Sequence, residues 1–315
     1  MRIIDPKGNY NFVFSSYPQP IARVAPGEEV TLVTTDAFMG LIQSENDSLD
    51  EMRRKRPGPN PQTGPVYIEG ARAGDTLKVH ITSIEPGRDW AASCVHKAFG
   101  GLTPNKYTRM INVGQSEKIY IYRFEKEAGA DGTLMLRRDD YLRFPWKPFM
   151  GTIATAPAME AVSALTPFEN GGNMDAPDVK PGNIIYLPVS VDGAYFFTGD
   201  CHACQGDGEL CGTALEISAK VTLKFELIKG KKITWPRIES PDEYMVVGSA
   251  RPMEDAARIA YAELIEWMEE FGWDRIDAYQ ALTQAGKLSC ANMVDTYYSM
   301  VAKVSKKLAE KRVND

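Results

Sequence analysis

Residues 217–225 read Ile-Ser-Ala-Lys-Val-Thr-Leu-Lys-Phe. From Ala219 to Phe225 apolar side chains recur between polar ones, and a period of two is the signature of a strand with one buried face. Four further runs have the same character: Val-Thr-Leu-Val-Thr at 30–34, Thr-Leu-Lys-Val-His-Ile at 76–81, Lys-Ile-Tyr-Ile-Tyr at 118–122 and Asn-Ile-Ile-Tyr-Leu at 183–187. Pro and Gly interrupt them at short spacing, which limits each to strand length. Two segments, 69–77 and 177–185, place Gly and then Asp or Asn just before a strand. Ordinary turns explain both, with an internal repeat as the alternative.

The character changes after Met253. Ala257, Ala260, Tyr261, Leu264, Ile265, Met268 and Phe271 recur at helical spacing. Gly272 ends that helix, Asp274 caps a second over 275–285, and Gly286 closes it. A third helix is expected from about Val294 to Lys307. The fold class expected is therefore mainly β (α+β): a β-sandwich or barrel-like body with peripheral C-terminal helices. Residues 1–250 form the β-rich catalytic body, and 251–315 a helical segment packed on it, since no linker precedes them.

Composition narrows the function classes. Among 315 residues, 43% are hydrophobic and 25% charged, ordinary proportions for a globular protein with a real core. The net charge of −6 argues against a nucleic-acid partner. The basic cluster Arg53-Arg54-Lys55-Arg56 precedes a Pro/Gly-rich stretch and reads as a solvated loop. No apolar run approaches the roughly 18 residues of a membrane span, and residues 1–6 lack the apolar stretch of a signal peptide. Five cysteines, an odd count, argue against a disulfide framework and for the cytoplasm as the expected compartment.

Chemistry concentrates at residues 199–209, Gly-Asp-Cys-His-Ala-Cys-Gln-Gly-Asp-Gly-Glu. Lone-pair side chains on a glycine-bent loop after a strand suit a metal or an acid–base site. Asp200 and His202 are two apart, so in extended chain they point the same way and can share one cation. Asp36, Asp207, Glu209 and Glu216 are further carboxylates in reach of such a site. Gly-Gly-Asn-Met-Asp at 171–175 is another loop with polar ends. Cys201, Cys204 and Cys211 imitate a zinc knuckle but lack a second pair, and the segment after Cys204 is a poor helix start for a redox motif. No Gly-x-Ser-x-Gly elbow is present. His80 reads as a strand residue and His96 as a surface-loop residue.

These segments resemble the acetamidase/formamidase family. The resemblance runs through 30–36, 63–71, 148–154, 171–175 and 187–189, is strongest at 199–209, and extends to Glu216 and 293–295. Cys201 and Cys204 depart from it. Residues 87–147, with Trp90, His96 and Arg109, fit it less clearly. The resemblance implies a homo-oligomeric hydrolase acting on the carbon–nitrogen bond of a small linear amide. It would use a divalent metal, zinc first and calcium second, held by Asp200, His202 and Asp36. Glu216, Asp36 and Asp207 would carry the proton chemistry. Asn173 and Asp175 would orient the amide, and Gly172 and Gly206 would stabilise the oxyanion. The alternative is a non-hydrolytic amide-binding or structural oligomeric β protein. Neither nucleic acid nor membrane is expected as a partner.

Overall fold

The computed structural model describes residues 1–103, 116–129 and 131–310. Two large sheets dominate it, and neither closes into a barrel. The first runs, edge to edge, through Arg2–Ile4, Glu29–Thr34, Ala219–Ile228, Thr76–Pro86, Ile184–Pro188, Arg237–Glu239, Glu243–Ala250, Tyr298–Ser305 and Lys287–Asn292. The second runs through Arg143–Pro145, Met135–Arg137, Lys118–Phe124, Trp90–Val95, Glu216–Ile217, Phe196–His202, Phe149–Ala154 and Gly171–Asn173. The strand Gln62–Ile68 also pairs with Phe196–His202 and with Ala22–Val24.

The run at 217–225 is two strands. Ile217 ends a short strand of the second sheet, and Ala219 begins a long strand of the first. Ser218 is the corner between them. Gly87 sits against it, donating its amide to the Ser218 carbonyl at 2.7 Å, and a Cβ on Gly87 would come within 2.7 Å of Ser218 Oγ. The main core lies between the sheets. Leu77, Val79, Leu223 and Phe225 meet Val66, Ile68, Met150, Phe196 and Ile217 there. Each strand contributes alternate side chains to that layer, as the sequence pattern requires.

The helices Met253–Glu269 and Arg275–Ala285 occupy the expected positions. Asp274 caps the second by accepting from the amides of Ile276 and Asp277. The third helix does not form. Residues 287–292 and 298–305 are strands that extend the first sheet beyond Glu243–Ala250, and only Lys306–Ala309 is helical. The cause is burial on both faces: Ser299 to Ala302 are all buried, which erases the alternation that marks a half-exposed strand. The basic cluster is also not a loop. It lies in and just after the helix Leu49–Lys55, capped by Ser48 Oγ.

Among the described residues no helix is long and apolar enough to cross a membrane. Helix Met253–Glu269 approaches the first sheet at Gly248, where a Cβ would stand 2.7 Å from the Ala260 amide nitrogen. Gly248→Ala is expected to destabilise the protein by about 1–3 kcal/mol through overpacking, measured by urea unfolding. An unchanged midpoint would show that the helix can move aside.

Candidate active site

His202 ends the strand Phe196–His202 in the interior of the second sheet, between Phe149–Ala154 and Glu216–Ile217. Register places Glu216 directly opposite it, so both side chains share one face. Nε2 of His202 lies 3.3 Å from Glu216 Oε2, 3.5 Å from Asp200 Oδ1 and 3.9 Å from Asp175 Oδ1. Two buried groups of ligating atoms overlap at this imidazole: Asp175, Asp200 and His202, and His202, Glu209 and Glu216, each within 4.8 Å. Asn60, Asp175, Asp200 and Glu209 all hold left-handed backbone, with φ between 47° and 52°. Strain of roughly 1–3 kcal/mol at each such residue is characteristic of functional sites.

Polar partners orient most of these side chains. Gln205 donates Nε2 to the carbonyls of Asp175 (2.9 Å) and Ala291 (3.0 Å), which turns its Oε1 toward His202 Nδ1 at 2.9 Å. Nδ1 must then carry the proton in that bond, leaving Nε2 to face the carboxylates. Asn60 donates to Asp200 Oδ2 (3.0 Å) and Asn173 Oδ1 (2.6 Å), and Thr152 Oγ1 donates to the same two oxygens. Asn173 Nδ2 donates to Asp175 (2.8 Å) and Asp295 (2.5 Å), and Asn292 Nδ2 donates to both as well. Glu216 Oε1 accepts from the Ala214 amide at 2.9 Å. Three buried atoms remain without a hydrogen-bond partner: His202 Nε2, Asp175 Oδ1 and Glu216 Oε2. Opposite them Gly151 supplies room, because a Cβ there would lie 2.6 Å from Asp175 Oδ1 and 2.9 Å from Asp200 Oδ2.

The field is strongly negative. Burial, reinforced by neighbouring carboxylates, pushes Asp175 well above the ordinary carboxylate range. Burial raises Glu209 well above it too, and raises Glu216 and Asp295 each to about 7. Burial alone would depress His202, but Glu216 and Asp200 outweigh it and raise the imidazole well above its usual value. Asp200 alone is held low: burial opposes its ionisation, and His202 with the Asn60 hydrogen bond overcomes that. A site with this field attracts either protons or a cation.

The structure thus gathers Asn173, Asp175, Asp200, His202 and Glu216, and leaves four residues named from the sequence elsewhere. Asp36 is fully buried but belongs to Arg88, 2.5 Å from its Oδ2, and accepts from the amides of Phe38 and Gly40. Arg88 in turn donates to the Glu216 carbonyl at 3.1 Å, so Asp36 reaches the site only through that guanidinium. Asp207 and Gly206 are exposed on the rim. Gly172 is required by the close approach of the Thr166 carbonyl. Sequence reading missed Asn60 and Asn292 entirely, and noted Thr152 and Asp295 without a role. A short Asn side chain between two prolines, at 59–61, was the available signal for Asn60.

All five cysteines are free thiols. Burial pushes the Cys201 thiol up to about 12, which makes it a poor nucleophile. His80 pairs with Glu226 at 3.2 Å. His96 follows the strand Trp90–Val95, is half-buried, and lines a cavity of about 320 Å³ together with Asn60. A second cavity, of about 390 Å³, is lined by Gln205 and Glu209. Arg109 lies outside the described residues.

The model of the Acetamidase/Formamidase family matches residues 16–166 and 144–302. The chain belongs to that family. It is similar to the acetamidase of Mycolicibacterium smegmatis, with 28% identity across 87% of this chain and 78% of that one. With the formamidase of Methylophilus methylotrophus it shares 37% identity over 66% of this chain and 61% of the relative. The crystal structure of an acetamidase from Yersinia enterocolitica superposes with a TM-score of 0.92 at 39% identity, covering 98% of this chain and 92% of that one. This acetamidase/formamidase family member is an amide-hydrolysing enzyme.

The raised carboxylates make a stability prediction for protein freed of bound cations. Glu216 in the folded chain keeps its proton up to about 7, whereas the unfolded chain releases it near 4.5. Folding stability is then fully present below about pH 4.5 and is lost as pH rises toward 7. His202, Asp175, Glu209 and Asp295, all raised, act in the same sense; Asp200, held low, opposes them. The melting temperature of chelator-treated protein is expected to fall by roughly 5 °C between pH 5 and pH 7.5. Glu216→Gln should flatten that fall, and a parallel curve would refute the assignment.

Proposed function

We propose that this chain hydrolyses the carbon–nitrogen bond of a small linear amide, giving a carboxylate and ammonia, with a divalent cation held at His202. The observation that carries the reading is the trio of buried atoms without a hydrogen-bond partner, His202 Nε2 with Glu216 Oε2 at 3.3 Å and Asp175 Oδ1 at 3.9 Å from it. An imidazole nitrogen whose far side is fixed by Gln205, beside several carboxylate oxygens, is a donor set that suits zinc. A calcium site would be built from oxygen alone, which argues against the second choice. His202 and Asp200 would hold the cation, with Asp175 or Glu209 completing the set. Bound there, the cation supplies Lewis acidity toward an amide carbonyl and toward water.

The protein's own groups do the rest. Glu216, pushed up to about 7, is suited to take a proton from the attacking water at Oε2 and return it to the departing nitrogen. The Ala214 amide holds its other oxygen, and Arg88 holds its backbone, so the carboxylate has little freedom to turn away. His202, with the Asn60 hydrogen bond, keeps Asp200 ionised, and Asn60 and Thr152 aim it. Asn173 and Asn292 hold Asp175 and Asp295 together. Asp36 acts through Arg88. A homo-oligomer in the cytoplasm completes the proposal.

The test is ammonia release from formamide, acetamide and propionamide, before and after chelation, with metal content assayed in the same sample. Turnover is expected to disappear on chelation and return with zinc. Undiminished turnover by metal-free protein would overturn the cation. His202→Ala is expected to lose both metal and activity. Glu216→Gln is expected to keep metal while kcat falls at least 100-fold; full activity in that variant would remove Glu216 as the proton carrier.

A further inference from the structure

The helix Leu49–Lys55 turns part of the basic cluster toward the cavity of about 320 Å³. Arg54 and Lys55 face solvent, but Arg53 and Arg56 line the cavity. The Arg53 charge is answered by Asp50 at 2.5 Å and Glu117 at 2.8 Å. Arg56 differs. Its guanidinium donates to the Ala37 carbonyl at 2.9 Å, and among the described residues it makes no ion pair with a carboxylate. Residues 104–115, the undescribed stretch nearest in sequence to this wall, contain no Asp or Glu. Asp36, whose charge reaches Arg56, is already paired with Arg88. A partly desolvated cation with no ion pair of its own is a costly arrangement that an anionic ligand relieves.

The cavity and the candidate active site share one residue, Asn60. The Asn60 amide contacts Asp200 at 3.0 Å. Phe38 and Phe99 add apolar wall. His96 adds no charge near neutral pH, because burial and the adjacent Arg53 and Arg56 push it down to about 4. The second cavity, lined by Asp207 and Glu209 without a cation, would repel an anion. Acetamide has four non-hydrogen atoms and occupies on the order of 100 Å³, judged from the volume of a water molecule. Room for a longer acyl chain remains.

We propose that Arg56 determines specificity by pairing with a carboxylate at the far end of the acyl chain, so that the preferred substrate is the monoamide of a short dicarboxylic acid. This rests on the amide-hydrolase reading above. The reaction is the same hydrolysis: water adds to the amide carbon, the carbon–nitrogen bond breaks, and a dicarboxylate and ammonium leave. The acyl end lies in the Arg56 cavity and the amide at His202 and Glu216.

The experiment measures kcat/KM for ammonia release from malonamate, succinamate and glutaramate, against propionamide and butyramide, by the metal-loaded enzyme. The wild type is expected to prefer one acid amide over the neutral amides by at least 100-fold. Arg56→Met should lower that preference at least 30-fold, mainly through KM, and Arg56→Lys should keep part of it. A wild type that favours neutral amides, or an unchanged preference in Arg56→Met, would overturn the proposal and leave the amidase reading standing. No turnover of any amide would instead sink the amidase reading. Calorimetric binding of succinamate then decides Arg56: affinity at least tenfold weaker in Arg56→Met supports its role, and equal or absent binding in both proteins ends it.

Discussion

The controlling constraint is the burial of Asp175, Asp200, Glu209, Glu216 and Asp295 around one imidazole. Five carboxylates cannot all ionise beside a single His202 in a medium of low polarizability. Much of the surrounding structure is a response to that crowding. Three asparagines and a threonine place amide and hydroxyl donors between the oxygens. Gly151 leaves the space a methyl group would occupy. The left-handed backbone at four of the residues concerned aims side chains that a regular strand would direct elsewhere. A fold that stored this much repulsion and strain for no purpose would be hard to maintain against a stability of only about 5–15 kcal/mol.

The two sheets make the crowding possible because one chain segment serves both. Glu216 belongs to the second sheet and Ala219 to the first, so the corner at Ser218 fixes the carboxylate relative to the whole sandwich. Asp36 and Arg88 reinforce that corner. Asp36 follows the strand Glu29–Thr34 of the first sheet, and Arg88 bridges from it to the Glu216 carbonyl. A buried ion pair of this kind contributes little net stability, but it restricts where the Glu216 backbone can lie. On the proposed mechanism Asp36 would therefore act as a positioning residue.

Where the sequence carried a strong local signal, the structure follows it. Alternation marked the long strands, and capping chemistry marked helix Arg275–Ala285 at its first residue. The pairing of Asp200 with His202 was visible because two residues along a strand return to the same face, although the positive φ at Asp200 bends that rule. The contribution of Asp175 and Glu216 depended on the family resemblance, since spacing alone cannot bring residues 175, 200 and 216 together. Other features had no local trace. Strand Tyr298–Ser305 is buried on both sides, so its apolar content fits a helix as well as a strand. Asn60 and Asn292 act across 140 and 117 residues of sequence, distances at which only the fold decides proximity. The basic cluster was misread because charge composition does not say which way a short helix will face.

Arg56 and Asn60 lie four residues apart, and the chain between them has little freedom. Pro57, Pro59 and Pro61 restrict φ at alternate positions. Gly58 passes so close to Phe12 that a Cβ would come within 2.9 Å of the Phe12 Cβ. Asn60 itself is held in left-handed backbone with its amide committed to Asp200 and Asn173. One end of this segment therefore contributes a donor to the anionic cluster while the other presents a guanidinium to the cavity. Because the connection is stiff, the separation between the Arg56 backbone and the Asn60 amide is set by covalent geometry rather than by loop motion. A rigid separation of that kind favours one substrate length over its neighbours, since a chain one methylene too short or too long must give up either the guanidinium or the reacting geometry at Glu216.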